Sequence, residues 1–299
     1  MSEQLKSKNI ADILHYLLSC GPATKTDLVR GTALGNTTVS DAINDLTALE
    51  LVHIVGKEDS IGGRRSTIYE LNREYGCFIG VAFCEGGIDF VTTGCHNDIK
   101  KQWTVRDSAN ASAISVLINE LRETVKSERN VLGIGIGLHG EIDYESQVVT
   151  YSQNPSWQYV HLKEIVEREL LVLTAIDHFA NGALLKEKIL GAAKGISNLI
   201  YYTAFAPQKA AILLDNQICR GKNNMAGRIA STGNLPDILL SMQECLDAPQ
   251  VIVASDTAKL EGINSAQIKA SRYDLARGMA ISAQSKWFNH APGRKERGK

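Results

Sequence analysis

The sequence predicts a chain of mixed α+β and α/β class in two parts, an N-terminal winged helix-turn-helix over residues 1–73 and an α/β domain over residues 74–299. Two observations carry this expectation. The first part holds three short amphipathic segments, then two β-patterned stretches around a Gly-Gly-Arg-Arg loop. In the second part, apolar strand patterns alternate with helical ones, which is the texture of a domain built on a mostly parallel sheet.

Each element of the first part has its own signal. In "NIADILHYLLSCG", Ile10, Ile13, Leu14, Leu17 and Leu18 fall on one helical face, and Gly21-Pro22 ends the helix. In "ATKTDLVRGTALG", Thr24 can cap a short helix with Asp27 three residues on, as in a capping box. After the turn "TALG" comes "NTTVSDAINDLTALEL", where Asn36 or Thr37 can cap and Val39, Ile43, Leu46 and Leu49 form the buried stripe. "LVHIV" and "STIYEL" are strand patterns joined by the Gly-rich "GKEDSIGGRR".

In the second part "CFIGVAF", "IDFVTTG", "NVLGIGIGLHG", "LLVLTAID", "NLIYYTA", "AAILLD" and "PQVIVAS" are strand patterns. "SAISVLINELRETVKSE" reads as an amphipathic helix and "RYDLARGMAISAQSKWF" as the final helix. The glycines of "GIGIG" let backbone or ligand approach closely. Residues 290–299, "HAPGRKERGK" from His290, form a polar, basic tail expected to be disordered and solvated.

Bulk properties narrow the function. Hydrophobic residues make up 44% and charged residues 22%, ordinary globular usage. The net charge of -1 gives no global basic field, so any nucleic-acid binding must rest on a local patch. Six scattered cysteines without a CxxC pair suit reduced thiols rather than a disulfide frame or zinc knuckle. The opening "MSEQLKSKNIADIL" has no signal-peptide apolar region, and no apolar run reaches the ~18 residues that span a bilayer. A cytoplasmic protein without membrane contact is expected.

The helix-turn-helix points to double-stranded DNA. Its third helix would enter the major groove, presenting Asn36, Thr37, Thr38 and Ser40 near its start and Asn44 one turn on. Lys25 is a further candidate for the DNA face, and Arg64 and Arg65 beside Gly62-Gly63 could reach phosphates or a minor groove. A protein-interaction head is the competing reading, supported by eight Lys/Arg against nine Asp/Glu between Met1 and Arg73.

A more specific signal comes from the order of "GGRRSTIYELN", "GIGIGLHGEID", "YSQNPSW", "HFANGALLKEKILGAAKG" and "ICRGKNNMAGRIA". Together they resemble the ROK family of repressors, open reading frames and sugar kinases, over nearly the whole chain. The resemblance implies an actin-like (ribonuclease H-like) two-lobed domain. It is to the repressor branch, because the family's kinases lack the winged helix.

Against that pattern the catalytic parts are altered. The Glu-Asn-Asp that ends in the catalytic base falls on Asp177, His178 and Phe179. The first phosphate loop, Asp-x-Gly-Gly-Thr, falls on Ala82, Phe83, Cys84, Glu85 and Gly86, where the acid is gone and Glu85 would repel phosphate. The second falls on "TAFAPQKAAI", which has no glycine and is stiffened by Pro207. Phosphoryl transfer needs a base, a phosphate cradle and a metal ion, so no enzyme activity and no cofactor are expected. The family's zinc motifs are reduced to "GRIAS" and isolated Cys245, expected in the core, so no metal is expected either.

The sugar-contacting positions of the resemblance fall on His139-Gly140 and Asn154, with Trp157 nearby as a core or rim aromatic. His139 replaces a proline and Asn154 precedes Pro155, so a solvated histidine and a simple turn former are the competing readings. The gripping Glu and His fall on Arg228 and Ser231, and His178 adds a titratable group. Loss of acids and gain of a guanidinium would favour an anionic sugar derivative over a neutral hexose. Alternatively, Arg228 pairs with Asp177 or Glu141 and closes a defunct site. The expected protein is a transcriptional regulator of carbohydrate genes, a homodimer or dimer of dimers on an inverted repeat. A sugar kinase with a fused regulatory head and a regulator answering to a partner protein are the alternatives.

Overall fold

The computed structural model describes residues 3–57, 65–84, 86–106, 113–152, 157–205, 209–229, 233–247, 250–255 and 265–290. Arg64, Glu85, Asn154, Pro207, Ser231 and the tail beyond His290 lie outside the described residues. The chain divides into two compact units.

The first unit takes the described residues of Met1–Cys77, Gly94–Asp98 and Gln284–Lys299. It contains α1 (Glu3–Cys20), β1 (Ala23–Thr24), α2 (Lys25–Thr32), α3 (Asn36–Ala48), β2 (Val52–Lys57) and β3 (Thr67–Leu71). The expected apolar stripes form one core, in which Ile10, Ile13, Leu14, Leu17, Leu28, Val39, Ile43 and Leu46 are buried together. The capping box at α2 is present: the Thr24 hydroxyl accepts the Asp27 amide at 3.2 Å and Asp27 accepts the Thr24 amide at 3.0 Å. The cap of α3 differs from expectation. It is Gly35, with no side-chain hydrogen bond, so Asn36 and Thr37 are helical and their side chains face solvent. The three strands pair in the order β1-β3-β2, antiparallel throughout.

The second unit takes the described residues of Phe78–Thr93 and Ile99–Ala283. Its elements are, in order, β4 (Cys77–Cys84), β5 (Gly87–Gly94), β6 (Ile99–Val105), α4 (Ala113–Ser127), β7 (Val131–Leu138), β8 (Gly140–Asp143), β9 (Val148–Ser152), α5 (Leu162–Leu170), β10 (Thr174–His178), α6 (Phe179–Leu190), β11 (Leu199–Thr203), β12 (Ala211–Leu214), β13 (Gln217–Cys219), α7 (Leu235–Cys245), β14 (Val251–Ser255), β15 (Ala266–Lys269) and α8 (Tyr273–Asn289), of which Cys77, Gly94 and the end of α8 from Gln284 count with the first unit.

Two five-stranded sheets share one order. The first runs β10-β7-β4-β5-β6 and the second β13-β12-β11-β14-β15. In each, the first three strands occupy one side in reverse sequence and the last two extend the other. The sheets are mixed rather than mostly parallel: β5–β6, β11–β12 and β12–β13 are antiparallel, while β7–β10, β11–β14 and β14–β15 are parallel. This duplicated order is the two-lobed architecture the family resemblance implies.

The glycines of β7 serve packing. A Cβ on Gly135 would stand 1.9 Å from the Met279 carbonyl oxygen in α8, and one on Gly80 of β4 would stand 1.8 Å from that of Ala276. At the crossing of α6 and α8, Gly182 and Gly278 meet backbone to backbone, with a Cβ on Gly278 only 2.2 Å from the Gly182 carbonyl. A methyl there can be housed only by moving a helix. Gly135→Ala is therefore expected to cost about 1–3 kcal/mol or more of unfolding free energy. Urea denaturation checks this, and a change below about 0.5 kcal/mol would contradict it.

Candidate functional site

The end of β10 and start of α6 carry Asp177, His178 and Phe179, all buried. The strand's apolar run ends where the chain must turn into the helix, and His178 takes the cap position. Its Nδ1 accepts the Ala180 amide at 3.2 Å. Phe179 points into the apolar core shared by α6, α8 and the second sheet. The position that would carry a catalytic base is thus filled by a packed ring.

Asp177 is saturated with donors. Its Oδ1 accepts from the His178 amide, Asn181 Nδ2 and Asn224 Nδ2, each at 2.7 Å. Its Oδ2 accepts Nε and Nη2 of Arg220, both at 2.9 Å. A carboxylate offers about four lone-pair sites, so no acceptor capacity remains for a ligand hydroxyl. The Arg220 guanidinium is held from one face by Tyr144, 4.2 Å from the ring centre.

Lys209 extends the cluster. It is buried and its Nζ donates to the Asn224 carbonyl at 2.7 Å. Burial pulls its pKa down to about 8, against the opposing pull of Asp177. The Asn224 backbone adopts φ 57, which an asparagine tolerates and which turns its carbonyl to Lys209 and its side chain to Asp177. Asn181 gives a second bond to Asn224, at 3.0 Å.

His139 and His178 form a pair, Nδ1 to Nε2 at 3.1 Å. Burial, then Lys209 and His139, push the pKa of His178 well below its ordinary 6.5, so it is neutral. Because His178 Nδ1 accepts the Ala180 amide, its proton must sit on Nε2 and be donated to His139 Nδ1. Both facing nitrogens are thereby engaged, and neither has a lone pair for a metal ion. His139 is half-buried and bonded rather than a solvated loop residue.

The sign of the pH dependence follows. Unfolded His178 takes up a proton at its ordinary 6.5 while the folded residue does not, so stability falls as pH drops below that value. Each unit of pH in that window removes up to about 1.4 kcal/mol. His178→Asn keeps a capping acceptor and removes the titration. The difference in urea midpoint between pH 7.5 and 5.5 should be smaller in that variant, and an equal difference would contradict the assignment.

The other expected ligand positions are scattered. Gly140 pairs with Ser152, and a Cβ there would stand 2.3 Å from the Tyr151 carbonyl, so the hairpin itself requires glycine. Arg228 bridges Lys209 through the backbone, yet its side chain is exposed. Arg220, not Arg228, takes Asp177. Asn154 lies outside the described residues, while Trp157 is a core residue edge-on to Phe83 at 4.6 Å. Cys245 ends α7 exposed rather than in the core.

Part of the segment that the resemblance aligns with the first phosphate loop is packed. Ala82 is core, and the Cys84 thiol, beside Asp89, has its pKa raised to about 12 by burial first and Asp89 second. Asp89 is fully buried and accepts Arg272 Nε at 2.7 Å and the Thr104 hydroxyl at 2.6 Å.

In the first unit, Asn36, Thr37 and Asn44 are exposed on α3, and Thr38 and Ser40 half-buried. Lys25 opens α2 with its Nζ 5.9 Å from the Tyr69 ring centre. Arg65 is exposed just before β3.

Lys209, Arg220 and Asn224 stand in no motif that singles them out in the sequence. The available signal is the cation-rich turn "CRGKNN", with positive φ at Gly221 and Asn224, opposite a buried acid.

Among the described residues, no helix is long and apolar enough to cross a membrane. A profile described as the ROK family matches residues 92–232. A xylose repressor of Bacillus spizizenii is 26% identical over 284 residues, covering 91% of this chain and 72% of that protein. A glucokinase of Halalkalibacterium halodurans is 30% identical over 112 residues, covering 38% and 34%. A solved ROK family transcriptional regulator, a homolog of the E. coli MLC protein, superposes with TM-score 0.76 and 13% identity, covering 96% of this chain and 98% of that one.

Proposed function

This chain is a member of the ROK family, and on that premise we propose that it is a DNA-binding transcriptional repressor of carbohydrate metabolism genes. The observation that carries the reading is a contrast between its two units. The kinase centre is spent on internal bonds: Phe179 is packed in the core and Asp177 is saturated by Arg220, Asn181, Asn224 and the His178 amide. The head unit, by comparison, turns Asn36, Thr37, Asp41 and Asn44 of α3 to solvent. The similarity to xylose repressors over 91% of the chain supports the same reading, and the match to glucokinase covers only 38%.

The protein works as a homodimer on an inverted repeat, its half-site spacing set by dimer geometry. A sugar or anionic sugar derivative is its effector and acts by binding two states of the protein unequally. The protein is not an enzyme. Wild type gives no sugar-dependent ATP consumption in a coupled assay, and Phe179→Asp does not restore it, because both phosphate loops have changed as well. Gel shift of DNA flanking its own gene, with and without a panel of sugars, tests the regulator directly. Sugar phosphorylation without DNA binding would reverse the conclusion in favour of a kinase. For the effector, calorimetry with matched neutral, acidic and phosphorylated sugars on wild type and Arg228→Glu separates the classes. Anion binding indifferent to Arg228 would remove that residue from the site.

A further inference from the structure

α3 carries no Lys, Arg or His. The commonest base contact of DNA-binding helices, a cation reaching the acceptors of guanine, is therefore unavailable to it. What it offers outward is a stripe at helical spacing, Thr37, Asp41, Asn44 and Ala48, with all four residues exposed. Asp41 stands at the centre of that stripe.

The two acids of α3 are treated differently. Asp45 is tied to Lys6 at 2.6 Å. Asp41, among the described residues, has no ion-pair partner and projects from the face that carries Thr37 and Asn44. Its place in the first half of the helix is where helix-turn-helix proteins approach base edges. A carboxylate only accepts hydrogen bonds. It is repelled by phosphate, by the O6 and N7 of guanine and by the O4 of thymine, and it matches an exocyclic amino group. Asn44, one turn on, already supplies the amide suited to adenine, which leaves the N4 amino group of cytosine as the partner for Asp41.

We propose that Asp41 determines operator specificity by accepting a hydrogen bond from a cytosine amino group in the major groove, while its charge suppresses binding to unmatched DNA. This rests on the DNA-binding reading above. It makes the acid a discriminating element, a repulsion felt by every wrong site and relieved at the right one.

The test is selection from a randomised duplex library with full-length wild type, Asp41→Asn and Asp41→Ala, followed by anisotropy titration of selected and scrambled duplexes. The residue is exposed, so the variants are expected to fold, which circular dichroism verifies. Wild type should enrich cytosine at one position of each half-site. Asp41→Asn should move that position towards adenine, whose N6 and N7 an amide pairs. Asp41→Ala should lose the preference, with roughly tenfold or greater loss of discrimination there. Both variants should bind scrambled duplex several-fold more tightly. An identical selected base in all three proteins, or unchanged affinity for scrambled duplex, overturns the proposal while leaving DNA binding standing. Failure of wild type to enrich any sequence overturns the DNA-binding reading and this proposal with it.

Discussion

Asp177→Ala is expected to destabilise the second unit by about 3–5 kcal/mol, the scale for removing one partner of a buried charge pair. The variant leaves five donor bonds without their acceptor: two from Arg220, one each from Asn181 and Asn224, and the His178 amide. Arg220 is only 23% exposed and stacked on Tyr144, so its charge cannot turn fully to water. Lys209 loses the attraction that opposes its desolvation. Asp177→Asn should fall between wild type and alanine, because an amide oxygen can still accept from some donors while its NH2 opposes others. Urea denaturation at pH 7.5 gives the comparison. A loss below about 1 kcal/mol in the alanine variant would mean the cluster is not structural. Arg220→Met provides the reciprocal measurement: it strands the carboxylate instead of the cations, and a loss of similar size is expected.

That cluster also marks where sequence reading runs out. The apolar stripes of α1 and α3 follow from local spacing, and the capping box at Thr24 and Asp27 from a four-residue pattern, so both are legible before any tertiary structure is known. The choice of Arg220 over Arg228 as partner of Asp177 is not local. The residues are 43 apart in sequence, and only the course of the turn after β13 decides which cation arrives. The glycines of β7 show the same limit. Their spacing announces a close approach, but whether backbone or ligand makes it depends on α8, over 130 residues downstream. The split into two sheets of one order is foreseeable only through family resemblance. Short strands such as β13 and β15, and the partly exposed β6, lack the apolar runs by which the buried strands announce themselves. At α3 the expected caps Asn36 and Thr37 are displaced by Gly35, because a glycine in extended backbone can open the helix and leave those polar groups outward.

The outward face of the head carries the other large expected effect. Replacing Arg64 and Arg65 together by alanine should weaken operator binding roughly ten- to a hundredfold near physiological salt. The strands β2 and β3 pair up to Lys57 and Thr67, and both arginines fall between those two residues in the sequence. Arg65 is exposed at the entrance to β3, while Arg64 lies outside the described residues. With no basic side chain on α3, phosphate neutralisation has to come from elsewhere on the head, which makes these two charges a large share of what is available. Every phosphate that is no longer neutralised makes the slope of log affinity against log salt shallower by about 0.9, so the double variant should lose about 1.8. Sequence preference should stay unchanged, because backbone contacts position the protein without reading bases. Thr38→Ala and Asn44→Ala should behave in the opposite way, relaxing base preference with little change in the salt slope. Anisotropy titrations at several salt concentrations distinguish the two patterns. An unchanged affinity and slope in the double arginine variant would remove the wing from the interface, and the cations of α2, Lys25 and Arg30, would then be the next to test.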